Sequence, residues 1–331
     1  MALLELSERG LYCPAGDFYV DPWEPVERAI VTHAHSDHAC PGSRSYLAAA
    51  PGEALLRQRL GSDAAIQTAD YGAAVSIGAA TVSLHPAGHI LGSAQVRIES
   101  AGEVWVVSGD YKLAPDTTCP PFEPLRCHTF VTESTFGLPI FRWAGADEVL
   151  REIQSWWRGN QDAGKASVLL GWPLGKMQRV LAALDAGIGP IYAHGAVERV
   201  NRVYRERGIA LPATPPPTRE TRRAVILAPP GCQGTPWMKR FGAASTALAS
   251  GWMRIRGTRR RRSLDRGFVL SDHADWPALL AAIDETRAQT VWVTHGFRAP
   301  LVRWLEEHGR QAVEVPVRQP APEAAAEECE S

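Results

Sequence analysis

The run His33-Ala34-His35-Ser36-Asp37-His38 constrains this chain most, because four of its six residues can bind a metal and it follows the β-branched stretch Arg28-Ala29-Ile30-Val31-Thr32. A short apolar stretch of that kind predicts a buried strand, and the loop at a strand's end is where sites tend to be built. With extended backbone His33 and His35 project to the same side, and a turn then lets Asp37 and His38 face a second ion. Neutral imidazoles with a carboxylate suit Zn²⁺ first, with Mn²⁺ or Fe²⁺ as alternatives. A two-metal centre needs more ligands than one loop holds, so the fold must bring them from other strand ends.

Three segments have that form. His89 lies between glycines in Gly88-His89-Ile90-Leu91-Gly92, after the alternating strand Ala80-Thr81-Val82-Ser83-Leu84. Asp110 follows Val104-Trp105-Val106-Val107, and His295 closes Val291-Trp292-Val293-Thr294 ahead of Gly296. Each alone reads as a cap or a core polar residue; their shared placement at strand ends points to ligation. Two divalent ions about 3.5–4 Å apart activate a water and polarise a phosphoryl or carbonyl oxygen, which is hydrolytic chemistry.

These segments together resemble the metallo-β-lactamase fold, an α/β αβ/βα sandwich, in its nucleic-acid branch with an inserted α/β β-CASP cap. Thr132-Glu133-Ser134-Thr135-Phe136-Gly137 is similar to that branch's motif A, Ser271-Asp272-His273-Ala274-Asp275-Trp276 to motif B, and Val293-Thr294-His295-Gly296 to motif C. The likeness runs from about Tyr12 to about Val317 and is nearest to bacterial ligase-associated DNA exonucleases. It implies that His33, His35 and His89 bind one metal, that Asp37, His38 and His295 bind the other, and that Asp110 bridges them. It makes Asp21 an orienting residue beneath the ligands. Glu133 would orient His273, and His273, with Asp37 among the catalytic set, would contact the scissile phosphate or protonate the leaving oxygen. Ser134, Ser271 and Lys176 would face substrate. A DNA ligase or a helicase is the protein partner the resemblance implies. His295 is shared with RNA-cleaving members of the branch, so the motifs leave DNA or RNA open and the overall likeness favours DNA. A small-ester or thioester hydrolase and a non-catalytic nucleic-acid scaffold are the other uses of such a fold.

The resemblance divides the chain into a first catalytic part (1–141), a cap (142–266), a second catalytic part (267–318) and an acidic tail (319–331) expected to be disordered. Helices are expected near Ala54–Gly61, Asp147–Trp157 and Lys176–Ala186, and strands at Ala166–Leu170 and Ala224–Ala228, before and after the proline-rich stretch from Leu211. The Gly175-Lys176 pair lacks the preceding glycine of a nucleotide-binding P-loop. His194 reads as structural. The net charge of −1 conceals an asymmetry: Arg199 to Arg266 holds sixteen Lys and Arg against three Asp and Glu, a surplus of +13. Arg254, Arg256, Arg259, Arg260, Arg261 and Arg262 precede motif B, where they would attract a polyanion and make its binding salt-dependent. Trp143, Trp172, Trp237 and Trp252 are candidates to stack on bases, none preferred over the others. The N-terminus lacks a basic start and a long apolar core, and the six cysteines show no zinc-knuckle spacing, so a reduced, cytoplasmic protein away from the membrane is expected.

Overall fold

Short apolar runs separated by glycine turns become the strands of three sheets in the computed structural model, which describes residues 2–217, 221–255, 257 and 263–316. The first sheet has its strands in chain order: β1 (Glu5–Ser7), β2 (Gly10–Cys13), β3 (Phe18–Val20), β4 (Arg28–Ile30), β5 (Ser45–Ala49) and β6 (Ile66–Ala69), with β3 to β6 parallel. The second begins with β7 (Ala74–Ile77), β8 (Ala80–Pro86), β9 (Ala94–Ser100), β10 (Glu103–Val107) and β11 (Thr129–Glu133).

Among the described residues, those from Arg142 to Asp272 form a separate unit, while those up to Phe141 and from His273 to Pro316 form the other. The separate unit holds a wholly parallel sheet of β12 (Ala166–Leu170), β13 (Ile191–Ala193), β14 (Val225–Ala228), β15 (Ala244–Ala249) and β16 (Arg266–Phe268), in the order β13-β14-β12-β15-β16. The chain then returns to the first unit, where β17 (Thr290–Thr294) pairs with β11 and β18 (Gln311–Glu314) with β17, completing the second sheet.

Burial on both faces explains why the central strands are continuous apolar runs. Trp105 and Val107 join Phe18, Val20, Ile30 and Leu47 of the first sheet in one core between the sheets. Val106, Phe130 and Val293 point the other way, onto Leu279 and Ile283 of the helix Trp276–Thr286 and Leu301 and Leu305 of the helix Arg298–Glu307. Each such side chain contributes about 1.5–3 kcal/mol by leaving water. In the separate unit Leu169 and Leu227 pack on Trp157, Met177 and Val197, whereas Val168, Leu170 and Ile226 pack on Phe241 and Met253.

The helix expected from Lys176 to Ala186 ends at Ala183. Leu184 turns extended and enters the core, and Asp185 Oδ1 accepts the Gly187 N–H at 2.8 Å, so a local turn competes successfully with the helix. The expected helix at 147–157 is longer, Ala146–Asp162, with Asp147 and Glu148 complementing the positive end of its dipole. His194 caps the helix Gly195–Glu206, its Nδ1 accepting the Ala196 N–H at 3.1 Å. The cysteines at 13, 40, 119, 127 and 232 are free thiols, and Cys329 lies outside the described residues, as do 319–331. Among the described residues no helix is long and apolar enough to cross a membrane.

Candidate metal centre

Strand direction gathers the candidate ligands. β10, β11 and β17 run parallel, and β8 runs with them because both it and β10 are antiparallel to β9. All four therefore finish at one edge, and the residues there are His89, Asp110, Glu133 and His295. In the first sheet β3 and β4 are parallel, so Asp21 and His33 leave their strands together.

One group converges closely. His35 Nδ1 lies 3.0 Å from His33 Nε2 and 3.1 Å from His89 Nε2, and Asp110 Oδ2 lies 3.6 and 3.8 Å from the same two Nε2 atoms. Donors at zinc bond lengths around a tetrahedron stand about 3.3 Å apart, so this spacing fits a single ion. These four ligand atoms lie within 4.8 Å of one another. Asp37, His38 and His295 do not join that group; they form a looser arrangement on its far side. His38 Nε2 is 3.5 Å from Asp110 Oδ2 and 3.8 Å from Asp37 Oδ2, and the His295 ring stacks on His38 at 5.1 Å.

Beneath the ligands a hydroxyl and a carboxylate set the ring tautomers. Asp21 Oδ2 accepts His38 Nδ1–H at 2.7 Å and the Thr32 hydroxyl at 2.6 Å, while Asp21 Oδ1 accepts the Thr32 N–H at 2.8 Å. Having donated to Asp21, the Thr32 oxygen accepts His33 Nδ1–H at 3.0 Å. Both rings are thereby left with Nε2 lone pairs directed into the site, the usual arrangement behind a ligating histidine. His38 Nε2 is buried and makes no hydrogen bond to the described residues. An acceptor so placed, facing two carboxylates, is accounted for by a cation.

The electrostatics agree. Burial, reinforced by His38 and His35, holds His33 well below the ordinary histidine range, in the neutral form that ligates. Burial acts the same way on His295. Around His38, burial is outweighed by the carboxylates of Asp110, Asp37 and Asp21, which raise it. Against burial, the imidazoles of His38, His273 and His33 keep Asp110 well below the usual carboxylate range. The pocket favours positive charge at its centre.

A second group shares Asp110. The Glu133 carboxylate, 1% exposed, accepts the Tyr111 N–H at 2.8 Å and lies 2.9 Å from Nδ1 of His273, which in turn is 3.8 Å from Asp110 Oδ2. The His273 side chain is 23% exposed, and its ring is held at Nδ1 by Glu133.

Backbone strain marks the same places. Asp21 and His295 have positive φ, +45° and +46°, unusual for residues with a side chain. Gly109 (φ +56°) precedes Asp110 where a Cβ would come 2.7 Å from the Thr32 side chain, and at Gly296 (φ +67°) it would come 2.2 Å from the Ser134 carbonyl.

The residues expected to touch substrate have the following surroundings. Ser134 is buried and donates its hydroxyl to the carbonyls of Thr294, at 3.0 Å, and His295, so it anchors the His295 turn. Lys176 is buried with its ammonium against Asp272, and Arg179 donates to the Ser271 carbonyl at 2.8 Å; these contacts lie within the separate unit. Arg256 and Arg259 to Arg262 lie outside the described residues. Thr32 and Tyr111 were not singled out by their sequence. A threonine closing an apolar strand directly before a histidine was the available signal for the first, whereas a backbone N–H leaves none for the second.

No protein-family model matches the chain. The chain is 32% identical over 310 residues to a protein of Opitutus terrae named "Probable DNA ligase", an alignment covering 92% of this chain and 30% of that protein. The chain thus spans less than a third of that relative's length. A solved structure of a protein of unknown function from Enterococcus faecalis V583 shares the fold, with a TM-score of 0.61 at 10% identity, over 88% of this chain and 79% of that one.

Proposed function

We propose that this chain is a metal-dependent nuclease that hydrolyses DNA phosphodiesters, working from ends during repair, with a metallo-β-lactamase sandwich in the unit that runs to Phe141 and resumes at His273 and a β-CASP cap in the unit Arg142–Asp272. The observation that carries this reading is the meeting, in one unit, of two groups that share Asp110: His33, His35 and His89 on one side, Glu133 and His273 on the other. A cluster of ligands, buried except for half-buried His35, beside a carboxylate-held imidazole combines a place for a hydrolytic ion with a proton donor.

In this reading His33, His35 and His89 hold one ion, Asp37, His38 and His295 a second, and Asp110 serves both; zinc suits this donor set first, manganese or iron next. When bound, such ions make water nucleophilic near neutral pH and neutralise charge on phosphoryl oxygens. The chain's own residues do the rest. Asp21 and Thr32 hold two imidazoles in their ligating tautomers. Glu133 keeps the proton of His273 on Nδ1 when the ring is neutral and stabilises the imidazolium when it is charged, so that Nε2–H can protonate the departing sugar oxygen as the phosphorus–oxygen bond breaks. DNA is favoured by the name of the relative, to which the chain corresponds in part. The surplus of +13 between Arg199 and Arg266 suits a polyanion.

The test is incubation of the zinc- or manganese-loaded protein with end-labelled single- and double-stranded DNA and RNA. Stepwise loss of label from DNA, abolished in Asp110→Ala, is expected. Intact DNA alongside turnover of a generic thioester would overturn the reading, and degradation confined to RNA would move it to the RNA-cleaving side of the same fold.

A further inference from the structure

The two imidazoles that meet at His35 come from different sheets. His33 follows β4 of the first sheet and His89 follows β8 of the second, yet His35 Nδ1 stands 3.0 and 3.1 Å from their Nε2 atoms. Ligands gathered that tightly must be held to about 0.5 Å, so something has to fix the end of one sheet against the end of the other.

The loop that carries His89, from Ala87 to Ser93, is closed on itself. The Ala87 N–H donates to the Ser93 carbonyl at 3.2 Å, and the Ser93 N–H donates to the Ile90 carbonyl at 3.0 Å. Both loop glycines lie against other backbone. A Cβ on Gly88 (φ +73°) would come 2.2 Å from the Lys112 carbonyl oxygen, and one on Gly92 (φ +78°) would come 2.1 Å from Gly52 Cα. From outside, the Tyr71 hydroxyl donates to the Ser93 carbonyl at 3.0 Å, and burial pushes that phenol's pKa up, which keeps it a donor. From inside, the Ser93 hydroxyl oxygen accepts the N–H groups of His89 and Ile90, both at 3.2 Å, and the residue is 2% exposed. The next residue completes the link. Ala94, the first of β9, donates its N–H to the Thr32 carbonyl at 2.8 Å, and Thr32 directly precedes His33.

We infer that Ser93 is a positioning residue for the metal centre: its hydroxyl sets the peptide that carries His89, and through Ala94 it ties that loop to the Thr32-His33 strand end. The spacing of two ligands from two sheets then follows from one dipeptide. Ser93 acts here through the backbone of His89. A hydroxyl suits the place because one small oxygen can accept two neighbouring N–H groups, whereas alanine leaves both donors buried and unanswered. This inference rests on the reading of His33, His35 and His89 as ligands, and is independent of which bond the centre hydrolyses.

The test is zinc affinity of the full chain and of variants at Ser93 and Tyr71, by competition with a chelator, with urea unfolding of the metal-free proteins alongside. Ser93→Ala should bind zinc about 10–100-fold more weakly, the usual consequence of losing a group that orients a ligand. Ser93→Thr keeps the hydroxyl and should recover most of the affinity. Tyr71→Phe loosens the same loop by one hydrogen bond but leaves the Ser93 hydroxyl in place, so its zinc affinity should stay near that of the wild type even where stability falls. Should Ser93→Ala not fold, Ser93→Cys, which fills the same space but accepts weakly, carries the same expectation. Unchanged zinc affinity in Ser93→Ala would overturn the inference and leave the nuclease reading intact. So would a loss in Tyr71→Phe as large as that in Ser93→Ala, since general loosening of the loop would then suffice. Zinc binding that behaves as expected beside intact DNA would overturn the nuclease reading alone. A wild type that takes up no zinc would overturn the metal reading, and the role of Ser93 with it.

Discussion

Asp21→Asn isolates the device that sets the ligand tautomers. Asparagine tolerates the left-handed backbone that Asp21 adopts at φ +45°, so the turn itself survives. What changes is the hydrogen bonding. In the wild type one carboxylate accepts three protons, from His38 Nδ1 at 2.7 Å, the Thr32 hydroxyl at 2.6 Å and the Thr32 N–H at 2.8 Å. An amide can present its oxygen to only one side, so an NH₂ group meets either the Thr32 N–H or the His38 Nδ1–H. A buried donor left facing a donor costs about 1–3 kcal/mol. His38 can relieve the conflict by moving its proton to Nε2, which occupies the lone pair that faces Asp110 and Asp37. By either route the metal-competent arrangement loses a similar amount, in line with the ~10–100-fold drop in affinity typical when such a supporting carboxylate is altered. The assay is competition for zinc against a chromophoric chelator at fixed pH, with circular dichroism to confirm the fold. Thr32→Val should show part of the loss and Thr32→Ser almost none, since serine keeps the hydroxyl that joins His33 to Asp21. Zinc affinity of Asp21→Asn within two-fold of the wild type would refute the tautomer argument.

Glu133→Gln should keep bound metal, measured by elemental analysis, while phosphodiester turnover falls by about 10²–10⁴-fold, because His273 loses the carboxylate that stabilises its charged form. Lys176→Met removes the ammonium against buried Asp272 while Arg179 stays at 3.8 Å, so unfolding in urea should show a loss near the lower end of the ~3–5 kcal/mol cost of breaking a buried pair. Adding Asp272→Leu to that variant should restore much of the stability. Glu198 gives a pH signature. Against burial, hydrogen bonds from Thr214, Arg205 and Asn201 lower its pKa, so its contribution is complete above about pH 4.3, the unfolded value, and is lost as pH falls through the lower folded value. Thermal melts from pH 5 to pH 2.5 should show a shallower decline for Glu198→Gln than for the wild type.

The hydrophobic pattern carried most of the strand positions because burial on both faces leaves little choice of residue. Ala166-Ser167-Val168-Leu169-Leu170 is a strand over its full length, and Val104 to Val107 is one with Glu103 added at its start. The candidate ligands were legible for a related reason: histidine and aspartate beside glycine at the end of an apolar run have few packing explanations. Helix ends were less legible. The stop at Ala183 depends on Leu184 finding a place in a core assembled from Trp157, Val180 and Ile191, a tertiary preference that no local pattern expresses. The surroundings of Ser134 and Lys176 met the same limit. Sequence shows a hydroxyl and an ammonium, and their burial against the 294–295 carbonyls and Asp272 becomes visible only in three dimensions.

The two left-handed non-glycine residues at the centre, Asp21 and His295, join these observations into one argument about how the site is held. Each adopts a conformation that is costly for its residue type, by about 1–3 kcal/mol, and each is compensated by partners brought from distant sequence. Asp21 is held by Thr32 and His38, which leave β4, and also by its own N–H bonded to the Ile30 carbonyl at 3.0 Å. His295 is held by Ser134, which leaves β11, through the carbonyls on either side of the Thr294–His295 peptide, while Gly296 allows the Ser134 carbonyl to approach. The strained positions are thus locked by residues at the ends of adjacent parallel strands, and those strands are anchored by buried side chains such as Val20, Ile30, Val131 and Val293. A loop free to relax would release the strain and lose the aim of both side chains. Placing the ligands one or two residues beyond a buried strand is therefore what permits a strained and specific geometry to persist in a chain whose local preferences oppose it.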